Sequence, residues 1–203
     1  MKLKRLAGQG SRAAVASGIA MVLVLLNVIV ASPLSNASPA LGVLLGVLLL
    51  LAVTVWLAGL ALAGLDLDWL AHPGTHNGRM LASLWFAIAG AFLAPLIALA
   101  AWSQAPTWML QLLLCLIGLT AGGFTILHNL EARRAGLLTG ALPWLGIAAG
   151  AFFLVFWLGV LLALVPLVFL GFFPGAVLYA GWAIWLGVRL GRVPQTAPAG
   201  ALT

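Results

Sequence analysis

The chain has 203 residues, of which 65% are hydrophobic and 6% charged, and its formal net charge is +6. Soluble domains carry roughly 25% charged residues, and no soluble fold of this length hides so much apolar surface, so the bilayer is the expected solvent. The basic residues are scattered over four short segments without the dense stripe and interleaved aromatics of a nucleic-acid groove, which excludes nucleic acid as a partner.

Lys2, Lys4, Arg5 and Arg12 precede a first apolar run at 13–32. This opening, with Ser35-Asn36-Ala37 behind it, has the layout of a secretory signal. The run spans about 20 residues against roughly 7–15 for a signal core, so a retained anchor is expected rather than a cleaved leader. An uncharged stretch, Pro33–Pro39, leads into a second run at 40–64. After it comes the chemically richest segment, 65–79, which holds Asp66, Asp68, His72, His76 and Arg79. Two carboxylates and two imidazoles so close together are candidate ligands for Zn²⁺ or Mn²⁺. Pro73-Gly74 and Asn77-Gly78 are turn signals, so a polar cytoplasmic loop is the competing reading.

A third run at 80–102 is followed by the uncharged Ser103–Thr107 and a fourth run at 108–128. Trp102 and Trp108 bracket that gap, where an amphipathic indole suits the headgroup level. His128, Asn129, Glu131, Arg133 and Arg134 close the fourth run. His128 is a further candidate ligand if the two inner segments converge. From Leu142 to Val188 no charge occurs, and as one helix this stretch would be about 70 Å long, enough for two crossings. Pro166 and Pro174 supply the expected break, giving runs at 142–165 and 172–190. Arg189 and Arg192 close the last run, and residues 193–203 have no periodic apolar pattern and read as a disordered cytoplasmic tail.

Every charged residue thus falls in alternate gaps or, for Arg189, at the edge of one, and short loops rich in Lys and Arg stay cytoplasmic. The expected fold is an all-α integral membrane protein: a six-transmembrane-helix bundle over residues 1–192, one domain, with both termini cytoplasmic. The expected location is the cell (inner or plasma) membrane.

Glycines four residues apart recur as Gly42/Gly46, Gly118/Gly122, Gly146/Gly150 and Gly187/Gly191, with Gly171/Gly175 and Gly136/Gly140 beside them. Such pairs let helix backbones approach closely, either within the bundle or against a second copy. Apart from Arg189 at the end of the last one, the runs contain no Asp, Glu, Lys or Arg, whereas ion-coupled transporters and voltage sensors place ionisable groups at membrane depth. The costliest polar residues within them, Asn27 and Gln111, are expected to meet another helix or line a small polar cavity.

Six-span enzyme families of similar size are read out by their motifs. The aspartate cluster of the CDP-alcohol phosphotransferases and the Gly-x-Ser-Gly of rhomboid proteases are both missing. Cys115, the only cysteine, rules out an intrachain disulfide, and the sequence calls for no cofactor. Three functions follow in order: a structural or accessory membrane subunit without catalysis, with the lipid bilayer and a second copy or another membrane protein as partners; an uncoupled carrier for a neutral or lipid-like solute; and an inner-leaflet metal-dependent enzyme.

Overall fold

The computed structural model describes residues 2–37, 39–71, 85, 88–89, 92–93, 96 and 106–191. Five long helices carry most of them: α1 (Lys2–Ala37), α2 (Pro39–Ala71), α3 (Thr107–Arg134), α4 (Leu142–Leu161) and α5 (Val165–Gly191). No strand occurs among the described residues. All five helices are long and apolar enough to cross a membrane, as expected of a multi-pass membrane protein. Residues of the third apolar run lie mostly outside the described residues, but Trp85, Ile88, Ala89, Phe92, Leu93 and Leu96 are helical. Residues 192–203, which include the tail, lie outside them as well.

Three boundaries differ from those expected. α1 runs through Pro33 to Ala37, and α2 starts at Pro39, so the uncharged stretch is mostly helix. α2 also continues through Asp66 and Asp68 to Ala71, where a loop was expected. The physical reason is common to both. The length of an apolar run measures the hydrocarbon to be crossed, and a helix can continue into the headgroup region. Third, the break between α4 and α5 falls at Leu162–Leu164 rather than at either proline. Pro166 sits in the first turn of α5, where its missing N–H would have had no helical partner. Pro174 lies inside α5 without ending it, as happens where neighbouring helices hold the segment. The turn instead uses Ala163 at φ 54°, with the Leu164 N–H returning to the Gly159 carbonyl at 2.8 Å. That is the geometry of a left-handed helix C-terminus, here without the usual glycine.

Neighbouring helices pack antiparallel. Asn27 Nδ2 of α1 donates to the Leu45 carbonyl of α2 at 2.9 Å, and Gly59 of α2 lies against Ala13 and Ser17 of α1. Ser11 Oγ of α1 donates to the Gly187 carbonyl of α5 at 2.7 Å, while Gly18 abuts Ala180. Gly159 and Gly171 bring α4 and α5 together, and Gly122 and Gly150 do the same for α3 and α4. The packing order is therefore α2–α1–α5–α4–α3, four antiparallel steps. Consequently α2 and α3 run parallel. They touch lightly, with Gly64 of α2 against Phe124 and His128 of α3.

The centre is aromatic. Trp56 meets Phe153 and Tyr179 at ring-centroid distances of 5.6 and 5.8 Å, and Tyr179 continues to Trp182 at 5.5 Å. Outward faces remain apolar: Leu23, Leu26 and Ile29 of α1 are more than half exposed, as lipid-facing side chains should be.

Candidate functional site

Lipid removes the hydrophobic drive between helices, so buried polar groups in the bundle must find partners of their own. Ser17 Oγ donates to the Trp56 carbonyl at 2.8 Å and shares a 2.5 Å hydrogen bond with the Tyr179 hydroxyl, tying α1, α2 and α5. Both Ser17 and Tyr179 are buried. Next to Tyr179 on α5, Trp182 Nε1 donates to Asn129 Oδ1 of α3 at 2.9 Å. Asn129 Nδ2 in turn donates to the Thr125 carbonyl at 2.7 Å. Gln111 Nε2 donates to the Val160 carbonyl of α4 at 2.6 Å. Asn27 and Gln111 thus each fasten a helix pair, and neither lines the cavity described below.

That cavity, of about 330 Å³, opens into the bundle where α2 and α3 barely meet. Among the described residues its walls are Val24 and Val28 of α1; Gly46, Leu49, Leu50, Val53 and Trp56 of α2; Leu114, Ile117 and Gly118 of α3; Phe153 and Phe156 of α4; and Phe172 of α5. No ionisable group is among them. The volume lies at the lower end of the range for small-molecule sites, roughly 300–1,000 Å³. Sealed and vacant, an apolar cavity of this size would cost on the order of 8 kcal/mol at about 24 cal/mol per Å³. That is comparable with the roughly 5–15 kcal/mol stability of a whole domain. The cavity is partly open rather than sealed, so it does not carry that full penalty.

The glycines divide into two groups around this cavity. A Cβ built on Gly122 would stand 2.9 Å from the Gly150 carbonyl oxygen, and one on Gly150 would stand 2.8 Å from the Gly122 carbonyl oxygen. Gly118 lies against Phe156 and Trp157, Gly146 against Asn129, Gly187 against Ser11 and Val15, and Gly191 against Ser11. Each of these is a contact within the chain. Gly46 differs: no described residue lies within 4 Å of where its Cβ would be, and it forms part of the cavity wall. The side of Gly42 lies outside the described residues.

The residues singled out as metal ligands are placed as follows. Asp66 and Asp68 belong to the last turns of α2, with their side chains outside the described residues. His72 and His76 lie outside the described residues altogether. His128 is buried on α3, stacked on Phe124 at a centroid distance of 5.3 Å, and its Nε2 has no hydrogen-bond partner among the described residues. Because Gly64 abuts Phe124 and His128, the end of α2 that carries positions 66 and 68 runs alongside the end of α3. Among the described residues no three His, Cys, Asp or Glu side chains come together. At the same end Arg134 pairs with Glu131 at 2.9 Å, and the Arg133 guanidinium stacks over Trp144, 4.3 Å from the ring centroid.

The sequence reading did not single out Ser17, Tyr179 or the cavity. Ser17 and Tyr179 are far apart in sequence, and no local spacing marks them as partners. The cavity has even less signal, since each of its walls is ordinary apolar helix. No protein-family model, no curated protein and no solved structure matches this chain.

Proposed function

We propose that this is a six-span membrane protein, with both termini cytoplasmic, that holds an uncharged, lipid-like molecule and performs no chemistry on it. The single observation that carries the binding reading is the apolar cavity, set in a bundle whose polar groups are mostly engaged in fastening helices. Binding energy at such a place comes from apolar contact, which suits a lipid-like solute and not an ion or a sugar. A carrier or receptor for such a solute follows more directly than an accessory subunit. The glycine faces that would serve a partner subunit are engaged within the chain at Gly118, Gly122, Gly146, Gly150 and Gly187.

Six spans are supported by the parallel course of α2 and α3. Residues 72–105 leave α2 at one end of the bundle and must reach the start of α3 at the other. The two ends are separated by about 42 Å, the length of α3 at 1.5 Å per residue. Only an odd number of crossings satisfies that connection, and 80–102 is the one apolar run available for it. The basic residues then collect on one side, which the positive-inside rule makes cytoplasmic.

Native mass spectrometry of the protein released from mild detergent tests the binding reading. A monomer carrying a lipid-sized adduct is the expected result. A bare monomer, or a stoichiometric second polypeptide in place of the adduct, overturns it.

A further inference from the structure

We propose that the basic end of the bundle carries a site for an anionic phospholipid on the outward face of α4 and α5, where Arg133 and Arg189 meet its phosphate and Trp144 and Trp185 flank its chains. This site is separate from the cavity and does not rest on it. Arg133 and Arg134 end α3, and Arg189 lies in the last turn of α5. The Arg133 guanidinium lies over Trp144 at the start of α4, 4.3 Å from the ring centroid. Arg189 Nη1 reaches Thr139, 3.4 Å from its carbonyl oxygen and 3.5 Å from its hydroxyl oxygen. Thr139 belongs to the turn between α3 and α4, so one short segment, 133–144, holds both cations. Glu131 at this end is paired with Arg134. The helix that carries Asp66 and Asp68, α2, packs against α1 and lightly against α3 rather than against α4 or α5. On the topology proposed above the lipid belongs to the inner leaflet; the site itself does not depend on that sidedness.

Two indoles mark where the lipid lies. Trp144 and Trp185 are 54% and 44% exposed. Leu145, next to Trp144, comes within 4.0 Å of the Cβ position of Gly181, which sets the two antiparallel helices level there. Trp185 follows Gly181 by one helical turn and Arg189 follows Trp185 by another, so the three lie near one face of α5. From the level of Leu145 and Gly181, Trp144 stands about 1.5 Å, Trp185 about 6 Å and Arg189 about 12 Å nearer the basic end, at 1.5 Å per residue. The face thus passes from apolar to aromatic to cationic in the order in which a phospholipid presents chain, ester region and phosphate. A guanidinium over an indole makes contact through its own face and keeps its in-plane N–H donors, which match the oxygens of a phosphate. A zwitterionic headgroup adds an ammonium that two arginines repel, so an anionic headgroup such as phosphatidylglycerol is favoured.

The test uses the full chain, washed free of lipid in mild detergent and titrated with phosphatidylglycerol or phosphatidylcholine of the same acyl chains. Bound lipid is counted by native mass spectrometry. Phosphatidylglycerol should bind more tightly by roughly twentyfold, and Arg133→Gln and Arg189→Gln should each weaken it about fivefold while phosphatidylcholine is unaffected. Phosphatidylglycerol with a diazirine close to its glycerol should also label the stretches 144–148 and 181–185 of the wild type, which decides the matter if either variant fails to fold. Equal affinity for the two lipids overturns the site, and so does label confined to other stretches. A preference that survives both glutamine variants but disappears in the triple variant Lys2→Gln, Lys4→Gln, Arg5→Gln overturns it as well, because the start of α1 then reads the charge. A lipid held in the cavity is insensitive to both arginines. Retained lipid without headgroup preference therefore sinks this site and leaves the binding reading standing, whereas a preference kept in Val53→Trp and lost on adding Arg133→Gln supports the site independently of the cavity.

Discussion

Trp182 donates its indole N–H to Asn129 Oδ1 at 2.9 Å, and both residues are buried, so α3 and α5 are joined by a hydrogen bond with no access to water. Replacing Asn129 with Leu strands the indole donor and should destabilise the protein by about 1–3 kcal/mol. Trp182→Phe removes the donor and leaves Asn129 its bond to the Thr125 carbonyl. A double-mutant cycle followed by unfolding in mixed micelles should give a coupling of about 0.6–1.7 kcal/mol, the range for hydrogen bonds between membrane helices. A coupling of zero would mean that the pair contributes no interaction energy.

Gly122 and Gly123 are neighbours with opposite environments. A Cβ on Gly122 would meet the Gly150 carbonyl and Leu154, whereas one on Gly123 would meet no described residue within 4 Å. Gly122→Ala should therefore cost about 1–3 kcal/mol through forced separation of α3 and α4. Gly123→Ala should be neutral or stabilising by up to about 1 kcal/mol, since alanine favours the helix. Equal effects in thermal unfolding would contradict the packing.

Ala163 adopts φ 54°, a left-handed conformation that costs an L-residue roughly 1–2 kcal/mol. Gly136 and Gly140, at φ 72° and 70°, meet the same demand without the penalty. Ala163→Gly should raise the unfolding temperature, with a gain of about 1 kcal/mol after the extra freedom of glycine in the unfolded chain is subtracted. A lower unfolding temperature would mean that the α4–α5 turn is not left-handed at this position.

Topology is open to direct measurement. In a Cys115→Ala background, Gln104→Cys should react with an impermeant maleimide from outside the cell, and Thr75→Cys only after the membrane is opened. The reverse pattern would invert the protein, and external reaction at both positions would remove the crossing at 80–102.

Several structural features were legible because they follow from local chemistry. Apolar runs of bilayer length mark helices, and each of the five long helices contains a run read from the sequence over most of its extent. The α4/α5 boundary was less legible, because proline disfavours a helix interior yet suits a first turn, and only the surrounding packing decides which applies at Pro166 and Pro174. Asn27 and Gln111 stood out as costly polar residues, but the choice between a cavity and a neighbouring carbonyl depends on which helix lies opposite. Both found carbonyls, of Leu45 and Val160. Gly46 and Gly122 have the same local spacing, and one has no described residue at its Cβ position while the other meets a backbone.

By itself the sequence determined the solvent and the helical class of this protein. Charge and hydrophobicity are properties of individual residues, and the free energy of moving them into hydrocarbon is nearly additive along a helix. Tertiary structure alone decided that α2 and α3 run parallel with a seam between them. It also decided that Ser17 meets Tyr179, and that Trp56, Phe153 and Gly46 border one apolar space. Each of these depends on which helices become neighbours, and short loops with many small residues leave that choice to packing between segments distant in sequence.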